Sequence, residues 1–119
     1  MASEYLPNYL LSHRKRSALS QTEVAFLLGV QGSAKVCRHE RFDLDPGLQT
    51  ALAYEAIYQR PISELFPGLV EKIQKEVMTR VKLLEQKELH SNSNALTTLK
   101  RQSLAAILSA EFNNQLKQS

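Results

Sequence analysis

The sequence has no tryptophan, one cysteine (Cys37), four glycines and four prolines among its 119 residues. A single cysteine excludes a disulfide framework within the chain and any multi-cysteine zinc site, and it suits a reducing compartment. No glycine stands in a G-x-G-x-x-G or phosphate-loop pattern, so no nucleotide-binding loop of those kinds is encoded. No run approaches ~18 consecutive apolar residues, which excludes a membrane-spanning helix. The opening residues Met1-Ala2-Ser3-Glu4-Tyr5 lack the basic-then-apolar order of an export signal, and a cytoplasmic location is expected. Charge of one sign is also scarce: 15 Lys and Arg stand against 12 Asp and Glu, a net of +3. That balance permits a nucleic-acid partner without demanding one. With 43% apolar residues, the chain has enough for a packed core.

What is present is helical periodicity. Strand-like alternation is missing, while apolar residues recur at spacings of three and four. A first helix is predicted to open at Pro7, with Tyr9 and Leu10 on its apolar side and His13-Arg14-Lys15-Arg16 following. Ser20 with Glu23 three residues later spells a capping box for a second helix, 21–28, whose apolar set is Val24, Ala25, Leu27 and Leu28. Gly29 ends it, where a left-handed residue is cheapest. A third helix is predicted over 33–41, anchored by Val36, and a fourth over 48–58, with Leu48, Leu52 and Ile57 apolar. Pro61 to Phe66 makes one or two further turns, ended by Pro67-Gly68.

Composition changes after Gly68. Residues 69–90 contain no Gly or Pro, and Val70, Ile73, Val77, Val81 and Leu84 form one stripe. Ser91-Asn92-Ser93-Asn94 reads as a polar linker. A last amphipathic helix, 95–116, carries Leu96, Leu99, Leu104, Ile107, Leu108, Phe112 and Leu116. The domain division is therefore 6–68, a five-helix unit, and 69–119, a helical extension.

The stretch Leu19 to Arg41 carries the chemistry. Two short helices joined through a glycine turn, with small Ala25 near their crossing, describe a helix-turn-helix. Gly29 takes the positive φ of the turn, and Val24, Leu28, Val30 and Val36 set the angle between the helices. That angle leaves one face of the second helix exposed, able to enter the major groove of DNA.

This stretch resembles the XRE family, the phage-repressor and Cro type of helix-turn-helix. The family run L-S-Q-x-x-[LV]-A-x-x-L-G-V is matched from Leu19-Ser20-Gln21 through Val24-Ala25 to Leu28-Gly29-Val30. The end of the recognition helix is matched by Val36-Cys37-Arg38-His39-Glu40, and the downstream pattern by Pro46-Gly47-Leu48 and Arg60-Pro61-Ile62-Ser63-Glu64-Leu65-Phe66. The resemblance covers about residues 6–68. The chain departs from it by one extra residue between Val30 and Val36, by Ala18 where Gly is usual, and by His39 where a larger apolar side chain is commoner.

The resemblance implies roles by position. Ser33, Ala34, Lys35 and Arg38 are expected on the outward, base-reading face, with Arg38 able to fork onto guanine O6 and N7. The plain alternative is a solvated charged face. Gln21, Thr22, Lys15 and Arg16 are expected near DNA phosphates, Gln21 at a helix N-terminus. Arg14 and Glu40 match a pair that bridges the first and third helices and are structural, as are Gly29 and Ala25. Cys37 reads as a half-buried filler, and His39 as packed on the core with one ring nitrogen satisfied. The two do not have zinc spacing. No catalytic constellation, cofactor or metal site is expected.

The expectation is an all-α, five-helix repressor-like domain with a helical extension, acting as a transcriptional regulator that binds double-stranded DNA as a homodimer at a short palindrome. The alternative is an antitoxin, in which residues 69–119 bind a protein partner and the helix-turn-helix autoregulates. No membrane contact is expected in either case.

Overall fold

The computed structural model describes residues 7–88 and 95–118, with side chains up to Ala110. The chain is all-α: α1 (Leu10–Ser17), α2 (Gln21–Leu28), α3 (Ala34–Glu40), α4 (Leu48–Tyr58), α5 (Ile62–Leu65), α6 (Pro67–Glu88) and α7 (Ala95–Gln118). Among the described residues there is no strand, and no helix is long and apolar enough to cross a membrane. Two compact units divide between Glu71 and Lys72, and Leu69 packs on the core of the first.

Local chemistry explains the helix ends in the first unit. α1 starts three residues later than Pro7 suggests. Tyr9, at the N-cap position, makes no side-chain cap bond; Asn8 before it caps α1 instead, its Oδ1 accepting from the Leu10 N–H at 2.9 Å. The capping box of α2 is complete: the Glu23 N–H donates to Ser20 Oγ at 3.0 Å, and the Ser20 N–H donates to Glu23 Oε1 at 2.8 Å. Gly29 closes α2 at φ 79°, with its N–H donating to the Phe26 carbonyl and that of Val30 to the Ala25 carbonyl. The lengthened turn uses a second left-handed residue, Gly32, at φ 73°. Ala18 ends α1 at φ 61°, a conformation that costs a non-glycine residue about 1 kcal/mol. Pro67, expected to stop a helix, starts α6 instead, at a first position where its missing N–H has no partner to lose.

The core of this unit is Leu10, Val24, Ala25, Val36, Tyr54, Leu65 and Phe66. Several apolar residues expected inside are outside. Tyr9, Leu27, Leu48 and Leu52 are all exposed, Leu48 by 73%. α4 turns Tyr54 inward, and its ring packs against Tyr58, Phe66 and His39, so Leu48 and Leu52 fall on the solvent flank.

In the second unit α7 returns antiparallel to α6. Lys100 Nζ donates to Glu88 Oε1 at 3.0 Å, and Arg101 donates to the Glu88 carbonyl at 3.2 Å. Met78, Val81, Thr97 and Leu104 are buried in these two helices, with Leu108 half-buried. The expected stripe is thus corrected: Ile73, Val77 and Leu84 are exposed, as are Leu96, Leu99 and Ile107. A two-helix hairpin covers only one narrow seam per helix, so positions flanking that seam stay in water. The predicted linker 91–94 and the side chains of Phe112 and Leu116 lie outside the described residues.

Candidate nucleic-acid interface

α3 has two chemically opposite faces. Val36, His39 and Glu40, at positions i, i+3 and i+4, are buried. Ala34, Lys35, Arg38 and the following Arg41 are exposed, Ser33 and Cys37 half so. The only acid on α3 is Glu40, and it points inward, so the outward face is cationic without a carboxylate of its own. Arg41 reaches Asp43 at 3.7 Å, both exposed, a contact of little energetic weight.

The inward face is locked from three elements. Arg14 of α1 grips Glu40 with two hydrogen bonds, Nε to Oε2 at 2.6 Å and Nη2 to Oε1 at 3.2 Å. Its Nη1 donates to the Leu19 carbonyl at 3.1 Å, which also fixes the start of α2. The Glu40 side chain is 3% exposed, and the pairing holds the Arg14 guanidinium above its ordinary value. Gln21 completes the cluster, its Nε2 donating to Glu40 Oε1 at 3.0 Å. Gln21, expected beside a phosphate, has its amide turned inward to Glu40.

The last turn of α3 is held by His39 and Asn8. Asn8 Nδ2 donates to the His39 carbonyl at 2.9 Å, so the residue that caps α1 also fastens α3. His39 Nδ1 lies 2.9 Å from the Tyr54 hydroxyl, with the two rings edge to face. Burial pushes the imidazole below 6.5, Lys35 and Arg38 push it further, and Asp45 opposes them. Burial likewise raises the Tyr54 phenol, and raises Tyr58 to about 12.

An unfolded chain protonates His39 more readily than the native one, so stability contributed by neutral His39 is complete above pH 6.5 and falls as the pH drops toward its lowered native value. Urea unfolding followed by circular dichroism between pH 7.5 and 5.5 is expected to show this loss. That range stays above the carboxylate region in which Glu23, also held low by its capping bonds, would contribute. His39→Gln should flatten the dependence, and an unchanged slope would assign it to other groups.

The other expected phosphate residues separate. Lys15 and Thr22 are exposed. Arg16 lies two residues from Arg14, about 200° around the helix, and lines a groove with α5 on the flank away from α3. Ala25 is buried and Gly29 adopts the left-handed turn. Two features were not foreseen: Arg41, which the Arg38 spacing of three already signalled, and Phe26, 82% exposed on α2 beside Leu19, Thr22, Glu23 and Leu27. No protein-family model matches the chain, and no curated protein or solved structure is significantly similar to it.

Proposed function

We propose that this chain is a DNA-binding transcriptional regulator of the XRE type, reading a short operator with α3 in the major groove. One observation carries the reading: Lys35 and Arg38 stand on an exposed face to which α3 contributes no acid, and the opposite face is locked by Arg14, Glu40, His39 and Asn8. A helix held this firmly by its back presents its front at a fixed angle, which base reading requires. Arg38 supplies a fork for a guanine, Lys35 a charge for base edge or phosphate, and Ala34 and Ser33 allow close approach. Lys15 and Thr22 remain as backbone contacts.

Selection of bound duplexes from a random pool is expected to return a defined site. On that site Arg38→Ala should weaken binding by about 1–3 kcal/mol and relax preference at one base pair. Lys35→Ala, if it meets phosphate, should weaken all sequences alike and reduce the salt slope by about 1. Full affinity in both variants would place the contact face elsewhere.

The extension supports assembly. A hairpin that leaves Ile73, Val77, Leu83, Leu84, Leu96, Leu99 and Ile107 exposed needs a cover, and a second copy would bury two such hairpins as four helices. Two-fold symmetry also suits a palindromic operator. Light scattering of the full chain at micromolar concentration should give a two-chain mass, and Val77→Glu with Leu84→Glu should halve it. A monomer would favour the other reading, in which the same apolar residues bind a partner protein as in an antitoxin.

A further inference from the structure

A second groove, chemically unlike the α3 face, runs between α1 and the α4–α5 corner, with a volume of about 500 Å³. Tyr9, Ser12, His13 and Arg16 wall it from α1; Arg60, Ser63 and Glu64 wall it from the other side. Residues 9, 12, 13 and 16 recur at helical spacing, so one flank of α1 supplies all four. The walls are tied at the base by the Tyr9 N–H donating to the Leu65 carbonyl at 2.9 Å. The His13 ring leans on Tyr58, with centroids 6.0 Å apart. The groove is therefore positioned by core residues.

Its polar content is unbalanced toward donors. Two guanidiniums from separate elements face one space, joined by two hydroxyls and an imidazole that offers an N–H in either neutral tautomer. Glu64 is the one carboxylate there, and it meets Arg60 only at 3.9 Å with both side chains more than half exposed. Arg16 has no ion-pair or hydrogen-bond partner among the described residues. An anion bound between them would meet a guanidinium from each of two elements. Tyr9, one of the lining residues, is 54% exposed.

We propose that this groove binds a small phosphate ester bearing a flat ring, of mononucleotide size. The phosphate sits between Arg16 and Arg60 and accepts from Ser12 and Ser63, the ring lies on Tyr9, and Glu64 accepts from an amine or hydroxyl of the ligand. The volume suits such a molecule, because ligand sites run from about 300 to 1,000 Å³. The site is independent of the DNA reading, since Arg16 occupies the flank of α1 opposite Arg14, the residue that anchors α3.

Titration of the isotope-labelled full chain with adenosine monophosphate, adenosine and inorganic phosphate tests it. The monophosphate should shift the amides of Ser12, His13, Arg60 and Ser63 saturably, with a Kd below about 1 mM, and the two fragments should bind at least about tenfold more weakly. Arg16→Gln and Arg60→Gln should each weaken the monophosphate by about tenfold or more while leaving thermal stability and duplex binding unchanged. No saturable shift, or shifts confined to Lys35 and Arg38, would overturn the proposal. So would a duplex that shifts the same amides and loses affinity in Arg16→Gln, because the groove would then hold a DNA backbone phosphate.

Discussion

Arg14→Ala is expected to lower the unfolding free energy of the N-terminal unit by about 3 kcal/mol, the scale for removing one partner of a buried ion pair. The substitution takes the fork from a Glu40 side chain that is 3% exposed in the native structure, leaves Gln21 as its remaining side-chain donor, and deprives the Leu19 carbonyl of Nη1. Glu40 must then lie buried without its fork or pull α3 outward toward water. Arg14→Lys should recover only part of the loss, because an ammonium replaces two parallel bonds with one point contact. Urea unfolding gives the energies. If stability is unchanged while duplex affinity falls, Arg14 belongs with the phosphate contacts and the structural assignment fails.

Tyr54→Ala should be the more damaging change, at about 3–5 kcal/mol, the range for truncating a fully buried aromatic. Tyr54 is completely buried and its ring meets Tyr58, Phe66 and His39. The loss has two parts that Tyr54→Phe separates. Phenylalanine keeps the packing and removes only the hydroxyl beside His39 Nδ1, a change expected to cost about 1–2 kcal/mol. Because His39 lies on α3, the hydroxyl is also a link between the core and the proposed reading helix. The phenylalanine variant should therefore speed amide exchange in the last turn of α3 more than in α2. Equal effects in both helices would show that the hydrogen bond has no special hold on α3.

The parts of the fold legible in the sequence are those governed by neighbours in the chain. Ser20 and Glu23 form their capping box within four residues, and Gly29 takes the positive φ that a side chain resists, so α2 has the predicted bounds 21–28. α4, between Gly47 and a left-handed Gln59, likewise spans the predicted 48–58. The bidentate contact of Arg14 with Glu40 was expected only through a family resemblance, since no local rule pairs residues 26 apart.

The residues misread were those whose burial depends on what lies opposite. Periodicity marks a face as apolar but does not say which part of it meets another element. Leu48 and Leu52 read as core while Tyr54 passed unnoticed, because its burial depends on remote packing and on a distant hydrogen-bond partner for its hydroxyl, here His39. Gln21 kept its expected place at the start of α2 yet turned its amide to Glu40. Arg16 differed from Arg14 only by its angle on α1, and that angle sent one to α3 and the other to the groove beside α5. Helix type, the ends of α2 and α4 and the all-α class were thus determined by the sequence alone, because capping, turn conformation and apolar spacing act over a few residues. The direction of each face, and so the separation of a locked back from an open front on α3, was decided by tertiary packing, because it depends on contacts between residues far apart in the chain.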